Sequence, residues 1–332
     1  MAEDHQFLFG IEIGGTKLQI AAQPATGHAG AKIMQRHRLT VDPAHGADGI
    51  RRQIESTLEK MLPALKPAAV GVGFGGPVDW KTGMICRSHQ IEGWPGFDLA
   101  GWLERLVHAP VLVDNDANTS ALGEAAHGAG IGVNPVFYVT LGSGVGGGLL
   151  VDGRIYHGAT PGEGEIGHVR LDRTGTTVES RCSGWAVDAK VRALKSSDPS
   201  SLLCKMMSGE KTGGEARHLA AALRQNDSAA RRILQETAED LAFGLSQVVH
   251  LFHPEAIILG GGLSLVGEPL RAAVADALHP FVMEAFAPGP RICLSALGED
   301  AVLVGAFELA KKKFNPPVSG TTRRTAARPV RF

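Results

Sequence analysis

Four polar side chains crowd one short stretch, Asp114, Asn115, Asp116 and Asn118 in VDNDAN, where a strand run meets a helical pattern. A carboxylate such as Asp116 could accept the proton of a substrate hydroxyl as that hydroxyl attacks a γ-phosphate. One Asp or Asn would suffice to cap a helix; this stretch carries more polar groups than a cap needs. Ligands of α/β sheets also gather at the carboxyl ends of strands. A second constellation is GEGEIGHVRL at 162–171, where Glu165 and His168 lie three apart beside glycines. Both could reach a polyhydroxylated ligand, although the pattern alone also describes a surface loop. A third is GFGGPVDWKTGMI at 73–85, whose Gly75 and Gly76 could let backbone pass close to a sugar ring.

Three further glycine-rich turns each follow a strand run: IEIGGTKLQIAA at 11–22, VTLGSGVGGGLLVDGRI at 139–155 and AIILGGGLSL at 256–265. Glycine removes the Cβ that would keep backbone N–H groups from a phosphate. One such turn means little, but three of them with the Asn-Asp pair between the first two suggest a cleft around a nucleotide's phosphate tail. Gly142-x-Gly144-x-x-Gly147 also fits a dinucleotide fingerprint, which requires a helix directly after the glycines. GLLVDGRIY follows instead and reads as a strand, so the hairpin reading is preferred.

These residues need elements to hold them. FLFGIEI at 7–13 turns through Gly14-Gly15-Thr16 into a second strand, and 69–79 reads as a buried strand ending in a glycine-proline turn. The run 110–118 reads as a strand leading into a helix from about Asp116 to Ala129. Helical spacing over 228–252 stops at His253-Pro254, followed by a strand at 256–259 and helices at 270–278 and about 300–313. The glycine hairpin recurs near 11–22 and 139–156, a weak internal echo that suggests two similar α/β halves with a cleft between them.

The chain has 332 residues, 44% of them hydrophobic and 20% charged, which predicts a globular protein of two domains or one large one. A formal net charge of −1 gives no general pull toward nucleic acid or membrane. The acidic, polar start MAEDHQ does not read as a secretory signal, and 136–151, uncharged but interrupted by five glycines, reads as two strands and a turn. Four scattered cysteines, Cys86, Cys182, Cys204 and Cys293, fit reduced thiols in a cytoplasm. The tail from 315, with prolines and arginines but little apolar material, is expected to be disordered.

On these motifs, in this order, the chain resembles the ROK family of sugar kinases, repressors and open-reading-frame proteins, within the actin-like ATPase/hexokinase superfamily. IGGTK resembles the first phosphate loop, GFGGPVD the sugar-side loop, NDAN with ALGE the catalytic segment, the stretch from LGSGVGGG to GEIGH the family signature, and LGGG the adenosine-side turn. The resemblance implies an α/β fold of two actin-like (ribonuclease H-like) domains with an interdomain cleft. It places one domain at 1–124 plus about 303–314 and the other at 125–302. It implies a cytoplasmic ATP-dependent hexose kinase that uses Mg2+, takes glucose or a related sugar, and forms a homodimer, with no nucleic-acid or membrane partner.

The same resemblance implies that Asp116 is the catalytic base and Asn115 a sugar ligand, and that Gly75 and Gly76 border the sugar. Glu165 and His168 would bind sugar hydroxyls. Gly14, Gly15, Thr16, Lys17, Gly142, Ser143 and Gly144 would surround the phosphates, with Gly261 and Gly262 near adenosine. Three departures from the family pattern stand out. Glu12 replaces the usual aspartate near magnesium. The cysteine cluster after the histidine is reduced to RCSGWAVDAKV at 181–191, so no structural zinc is expected, and Trp185 is expected to anchor the loop by burying its ring. Finally, the glutamate that ends the cluster aligns with Val187, beside Asp188, which leaves a sensor without efficient catalysis as the alternative. Family repressors carry a DNA-binding helix-turn-helix ahead of this body; with six residues before the first strand run, none is expected here.

Overall fold

Alternating apolar and glycine-punctuated runs fold into two five-stranded sheets of identical strand order. The computed structural model describes residues 6–25, 33–88, 91–162, 164–208 and 212–314. The first sheet uses β1 (Gln6–Ile13), β2 (Lys17–Pro24), β3 (Gln35–Thr40), β4 (Lys66–Phe74) and, after a small hairpin of β5 (Val78–Asp79) and β6 (Met84–Ile85), β7 (Val111–Asn115). Its order is β3-β2-β1-β4-β7, with β1 antiparallel to β2 and parallel to β4, and β4 parallel to β7. The second sheet uses β8 (Val136–Leu141), β9 (Val145–Val151), β10 (Arg154–Ile155), β11 (Ala256–Gly260) and β12 (Arg291–Leu294). Its order, β10-β9-β8-β11-β12, repeats the first, with β9 antiparallel to both β8 and β10, and β11 parallel to both β8 and β12. The internal echo of glycine hairpins is thus a repeated fold.

Helices α1 (Gly46–Met61) and α2 (Leu99–Val107) cover the first sheet, and Ile50, Ile54 and Leu103 pack on Ile11, Val70 and Val72. The second core gathers α4 (Val178–Cys182), α5 (Gly184–Ser197), α6 (Leu202–Met206), α7 (Leu219–Arg224), α8 (Ser228–Phe252) and α9 (Glu268–Leu278). Helix α8 has the expected bounds, and His253 ends it in a left-handed conformation. Between the halves lie α3 (Asp116–His127) and α10 (Ala301–Phe314). Leu122 of α3 packs with Tyr138 and Ile258 of the second sheet, while Leu303 and Phe307 of α10 pack with Leu8 and Ala69 of the first.

Several expected bounds shift. The run 69–79 divides into β4 and β5 at Gly75–Pro77, and the strand at 110–118 ends at Asn115 because Asn115 caps α3. Helix α3 stops at His127, two residues short of the expected Ala129. The tail beyond 314 lies outside the described residues. Among the described residues no helix is long and apolar enough to cross a membrane.

Candidate active site

A cleft of about 350 Å3 opens where the carboxyl ends of β1, β4 and β7 face the β8–β9 turn. It brings together Gly14, Gly15, Thr16, Gly75, Gly76, Asn115, Asp116, Gly142, Ser143, Gly144, Glu165 and His168, residues the sequence separates by nearly half the chain. Its volume falls within the ordinary range of small-ligand sites.

Asp116 sits at the first turn of α3, but the capping duty falls on its neighbour. Asn115 Oδ1 accepts the amides of Ala117 at 2.8 Å and Asn118 at 3.2 Å, while Asn115 Nδ2 donates to the Gly76 carbonyl at 3.2 Å. Asp116 Oδ1 accepts the Ala117 amide at 2.8 Å, and Oδ2 faces Gly75, where a Cβ would stand only 3.6 Å from it. Desolvation by the surrounding protein, reinforced by the charges of Glu12 and Glu165, pushes the Asp116 carboxyl up to about 7. A carboxylate with that affinity for protons is matched to general-base work near neutral pH. Gly76 adopts φ 154°, and a Cβ there would lie 2.6 Å from the Arg87 carbonyl, so this loop accepts only glycine.

Glu165 and His168 flank a single 3-10 turn, Ile166–His168, with His168 Nε2 3.9 Å from Glu165 Oε2. Ile166 is buried in the second core, and Gly167 lies so close to the Val145 carbonyl that a Cβ would come within 2.1 Å. Burying the middle of the turn leaves both polar side chains facing the cleft. A third acidic group joins them that sequence reading missed: Glu179 of α4 also lines the cleft. Its Oε2 accepts the Val145 amide at 2.9 Å, which braces the second glycine turn. Its signal in the sequence is a lone glutamate in VESRC, with no polar neighbour of the kind that marks Asp116.

Neither Val187 nor Asp188 reaches the cleft. Val187 is fully buried in the second core, and Asp188 accepts the amides of Gly214 at 2.9 Å and Ala216 at 2.7 Å. Trp185 does not bury its ring either: it is 60% exposed and lines the cleft. Ser183 caps α5 through the Ala186 amide, and the buried stripe Val187, Val191 and Leu194 lies on the opposite side of the helix from Trp185. The segment after His168 is closed instead by Asp172, whose Oδ1 accepts Thr174 N, Thr174 Oγ1, Gly175 N and Thr176 N at 2.7–3.2 Å. These bonds hold its carboxyl well below the usual range.

A zinc clamp does not fit these residues. Cys182 lies in the second core, its Sγ donating to the Thr237 carbonyl at 3.6 Å, and burial pushes its thiol up to about 12. A thiol held protonated is a poor metal ligand. Among the described residues no three His, Cys, Asp or Glu side chains gather as a metal set.

The two glycine turns present backbone from opposite sides. In the first, the Gly14 amide donates to Lys17 O at 2.9 Å; in the second, Gly142 N bonds Gly144 O at 3.0 Å and Gly142 O accepts from Gly184 N at 2.7 Å. Lys17 is turned back, with Nζ 3.0 Å from Glu12 Oε1, and Gln19 Nε2 donates to Glu12 Oε2 at 2.5 Å. Glu12 is buried behind the first turn, and burial raises its carboxyl above the usual range against the pull of Lys17. A second cavity of about 530 Å3 adjoins the cleft through Thr16, Gly142, Ser143 and Trp185, and continues to Gly262, Leu263 and Arg217. Gly261, at φ 78° and packed against the Leu141 backbone, sets the start of that wall.

The ROK family profile matches residues 8–313. Glucokinase of Thermotoga maritima is 29% identical over 314 residues, covering 92% of this chain and 98% of that protein. Glucokinase of Streptomyces coelicolor is 31% identical, covering 91% of this chain and 97% of that protein. The structure of a ROK family glucokinase from Streptomyces griseus in complex with glucose and AMPPNP superimposes with a TM-score of 0.79 at 32% identity, over 92% of this chain and 99% of that one. The two repeated α/β sheets are the two actin-like domains of that fold. The chain belongs to the ROK family.

Proposed function

We propose that this ATP-dependent sugar kinase transfers the γ-phosphoryl group of ATP to a hydroxyl of a hexose, glucose or a related sugar, with Asp116 as general base. The observation that carries the reading is Asp116 itself. Freed from capping by Asn115 and with its carboxyl pushed up to about 7, it opens on a cleft lined by two glycine turns and by Glu165, His168 and Glu179. In this reading the hydroxyl proton passes to the Asp116 carboxylate as the sugar oxygen forms a bond to the γ-phosphorus. The bond from that phosphorus to the β-phosphate oxygen breaks, and ADP leaves.

Glu165, His168 and Glu179 bind sugar hydroxyls, Glu179 taking the part of the family's motif-ending glutamate. Asn115 touches the sugar from the catalytic strand, beside Gly75 and Gly76. Gly14, Gly15, Thr16, Gly142, Ser143 and Gly144 offer backbone and hydroxyl donors to the phosphates, with Lys17 released toward them from Glu12. The cavity lined by Gly262, beside Gly261, takes adenosine. Mg2+ would arrive with ATP; Glu12 would be the carboxylate nearest it, and the ion would neutralise charge on the transferring phosphates.

We further propose the domain division 1–124 plus 303–314 and 125–302, supported by the two sheets, and a cytoplasmic location. A homodimer is also proposed. Its support is the exposed apolar material along α8 and after α9, where Phe243 meets Phe281 edge-on at 5.4 Å and Leu251, Phe252 and Met283 stand exposed. The test of function is an ADP-release assay of the purified protein with glucose, fructose, mannose, allose and the N-acetylhexosamines. Turnover is expected with at least one of them. Sugar binding without turnover would replace the kinase reading with that of a sensor.

A further inference from the structure

Away from the reacting groups, His157 lies outside the cleft yet touches β7, the strand that leads into Asp116. Its Nε2 is 2.7 Å from Asp114 Oδ2, and since a carboxylate only accepts, the proton on Nε2 belongs to the histidine. The imidazole stacks on Trp80, with centroids 4.1 Å apart and planes 11° apart, which fixes the direction of that N–H. Asp114 is buried, and its other oxygen, Oδ1, accepts the Asn115 amide at 2.9 Å and Asn118 Nδ2 at 3.0 Å. Asn118 Nδ2 donates in turn to the Gly162 carbonyl at 2.8 Å. Gly162 folds back on His157, where a Cβ would meet the His157 carbonyl at 2.5 Å.

These bonds form a closed circuit. The segment from His157 to Gly162, which belongs to the second half of the chain, is tied at both ends to Asp114 and Asn118 of the first. Three residues beyond Gly162 comes Glu165, and three more lead to His168. The same carboxylate that receives His157 holds the amide of Asn115. One buried group therefore sets both the loop that leads to Glu165 and His168 and the end of β7.

We propose that His157 is a positioning residue that clamps the loop bearing Glu165 and His168 onto the catalytic strand through Asp114. The proposal rests on the sugar-kinase reading for the role of Glu165 and His168, but the clamp itself can be tested without substrate. A hydrogen bond to a charged, buried acceptor contributes enough that its loss is measurable. Glutamine can present an amide N–H close to the position of Nε2, whereas alanine presents nothing.

The first experiment is backbone hydrogen exchange of the ligand-free protein. His157→Ala should raise exchange over the described residues of 157–168, and His157→Gln should restore most of the protection. Equal exchange in wild type and His157→Ala would overturn the clamp whatever the protein's activity. The second is steady-state kinetics with the sugar identified in the ADP-release screen. His157→Ala should raise the KM for sugar about tenfold, the loss of roughly 1.4 kcal/mol, with the KM for ATP unchanged and His157→Gln close to wild type. A parallel rise in both KM values, or an equal defect in the Ala and Gln variants, would overturn positioning and leave a merely structural histidine. Absence of turnover in wild type, with exchange behaving as expected, would sink the kinase reading and spare the clamp.

Discussion

Glu124 and Ser295 meet where the chain returns from the second half to the first: Glu124 Oε1 accepts the Ser295 hydroxyl at 2.5 Å. The same carboxylate takes the amides of Leu297 at 2.9 Å, Ala129 at 2.8 Å and Ala296 at 3.2 Å. Glu124 is fully buried on α3, while Ser295–Leu297 links β12 to the turn before α10. One carboxylate thus fastens the helix after the catalytic strand to the crossover between halves. Glu124→Ala should cost about 2–3 kcal/mol, because partly buried donors lose their acceptor. It should also loosen the pivot about which the cleft closes on sugar, since closure excludes water from the phosphoryl group. Small-angle scattering should show a smaller radius of gyration for wild type with saturating sugar and a broader, less responsive distribution for the variant. An unchanged wild-type radius would rule out closure.

Asp116→Asn separates catalysis from folding. The amide keeps the size of the side chain and an acceptor for the Ala117 amide, but it cannot take a proton. Turnover should fall about 10²–10⁴-fold while sugar binding stays near wild type. At pH 8 the variant should melt higher than the parent, since it removes a charge opposed by burial, Glu12 and Glu165. Near-wild-type kcat would move the base elsewhere.

The pH dependence follows from the same residue, and its sign is opposite for rate and for stability. In the free enzyme the base must be ionised, so kcat/KM should fall on the acid side with an apparent pKa near 7. For stability, a carboxyl at about 7 in the fold and 3.8 as its reference value holds a proton that the unfolded chain releases. Its contribution is complete below about pH 4 and is lost as pH rises through about 7. Glu12, raised by burial, adds in the same direction. Urea titrations of wild type and Asp116→Asn should therefore diverge between pH 5 and 8, with the variant gaining about 1–3 kcal/mol at the alkaline end. Parallel curves would show that Asp116 titrates like an exposed aspartate.

Much of this site was legible because it is written in local patterns. The glycine hairpins at 14–16 and 142–144, the polar strand end at Asp114–Asn118 and the 25-residue helical period of α8 each signal within one short window. The repeated sheet order was present as an echo of hairpins. What escaped was tertiary. Glu179 acquires its place by bonding Val145 across 34 residues of sequence, and His157 by reaching Asp114 across 43. Neither distance has a local signature. Trp185 was misjudged because size suggests burial, whereas the capping of α5 by Ser183 fixes which helical face turns inward, and that face belongs to Val187 and Val191.

Asp172 yields the last prediction. In the segment between His168 and α4 a single carboxylate oxygen gathers four donors from Thr174, Gly175 and Thr176, and the Leu171 amide closes the turn on the Thr176 carbonyl at 2.9 Å. This turn leads directly into Thr177, which caps α4, and so into Glu179 at the cleft. A loop closed by hydrogen bonds does not respond to chelators, whereas a metal clamp does. EDTA followed by magnesium repletion should leave melting temperature and activity unchanged, and elemental analysis should find well under one zinc per chain. Asp172→Ala should raise the KM for sugar several-fold while leaving the melting temperature nearly unchanged, because the turn is exposed and its task is to aim α4. Stoichiometric zinc, or an Asp172→Ala enzyme with unaltered sugar KM, would refute the assignment of this loop to Asp172.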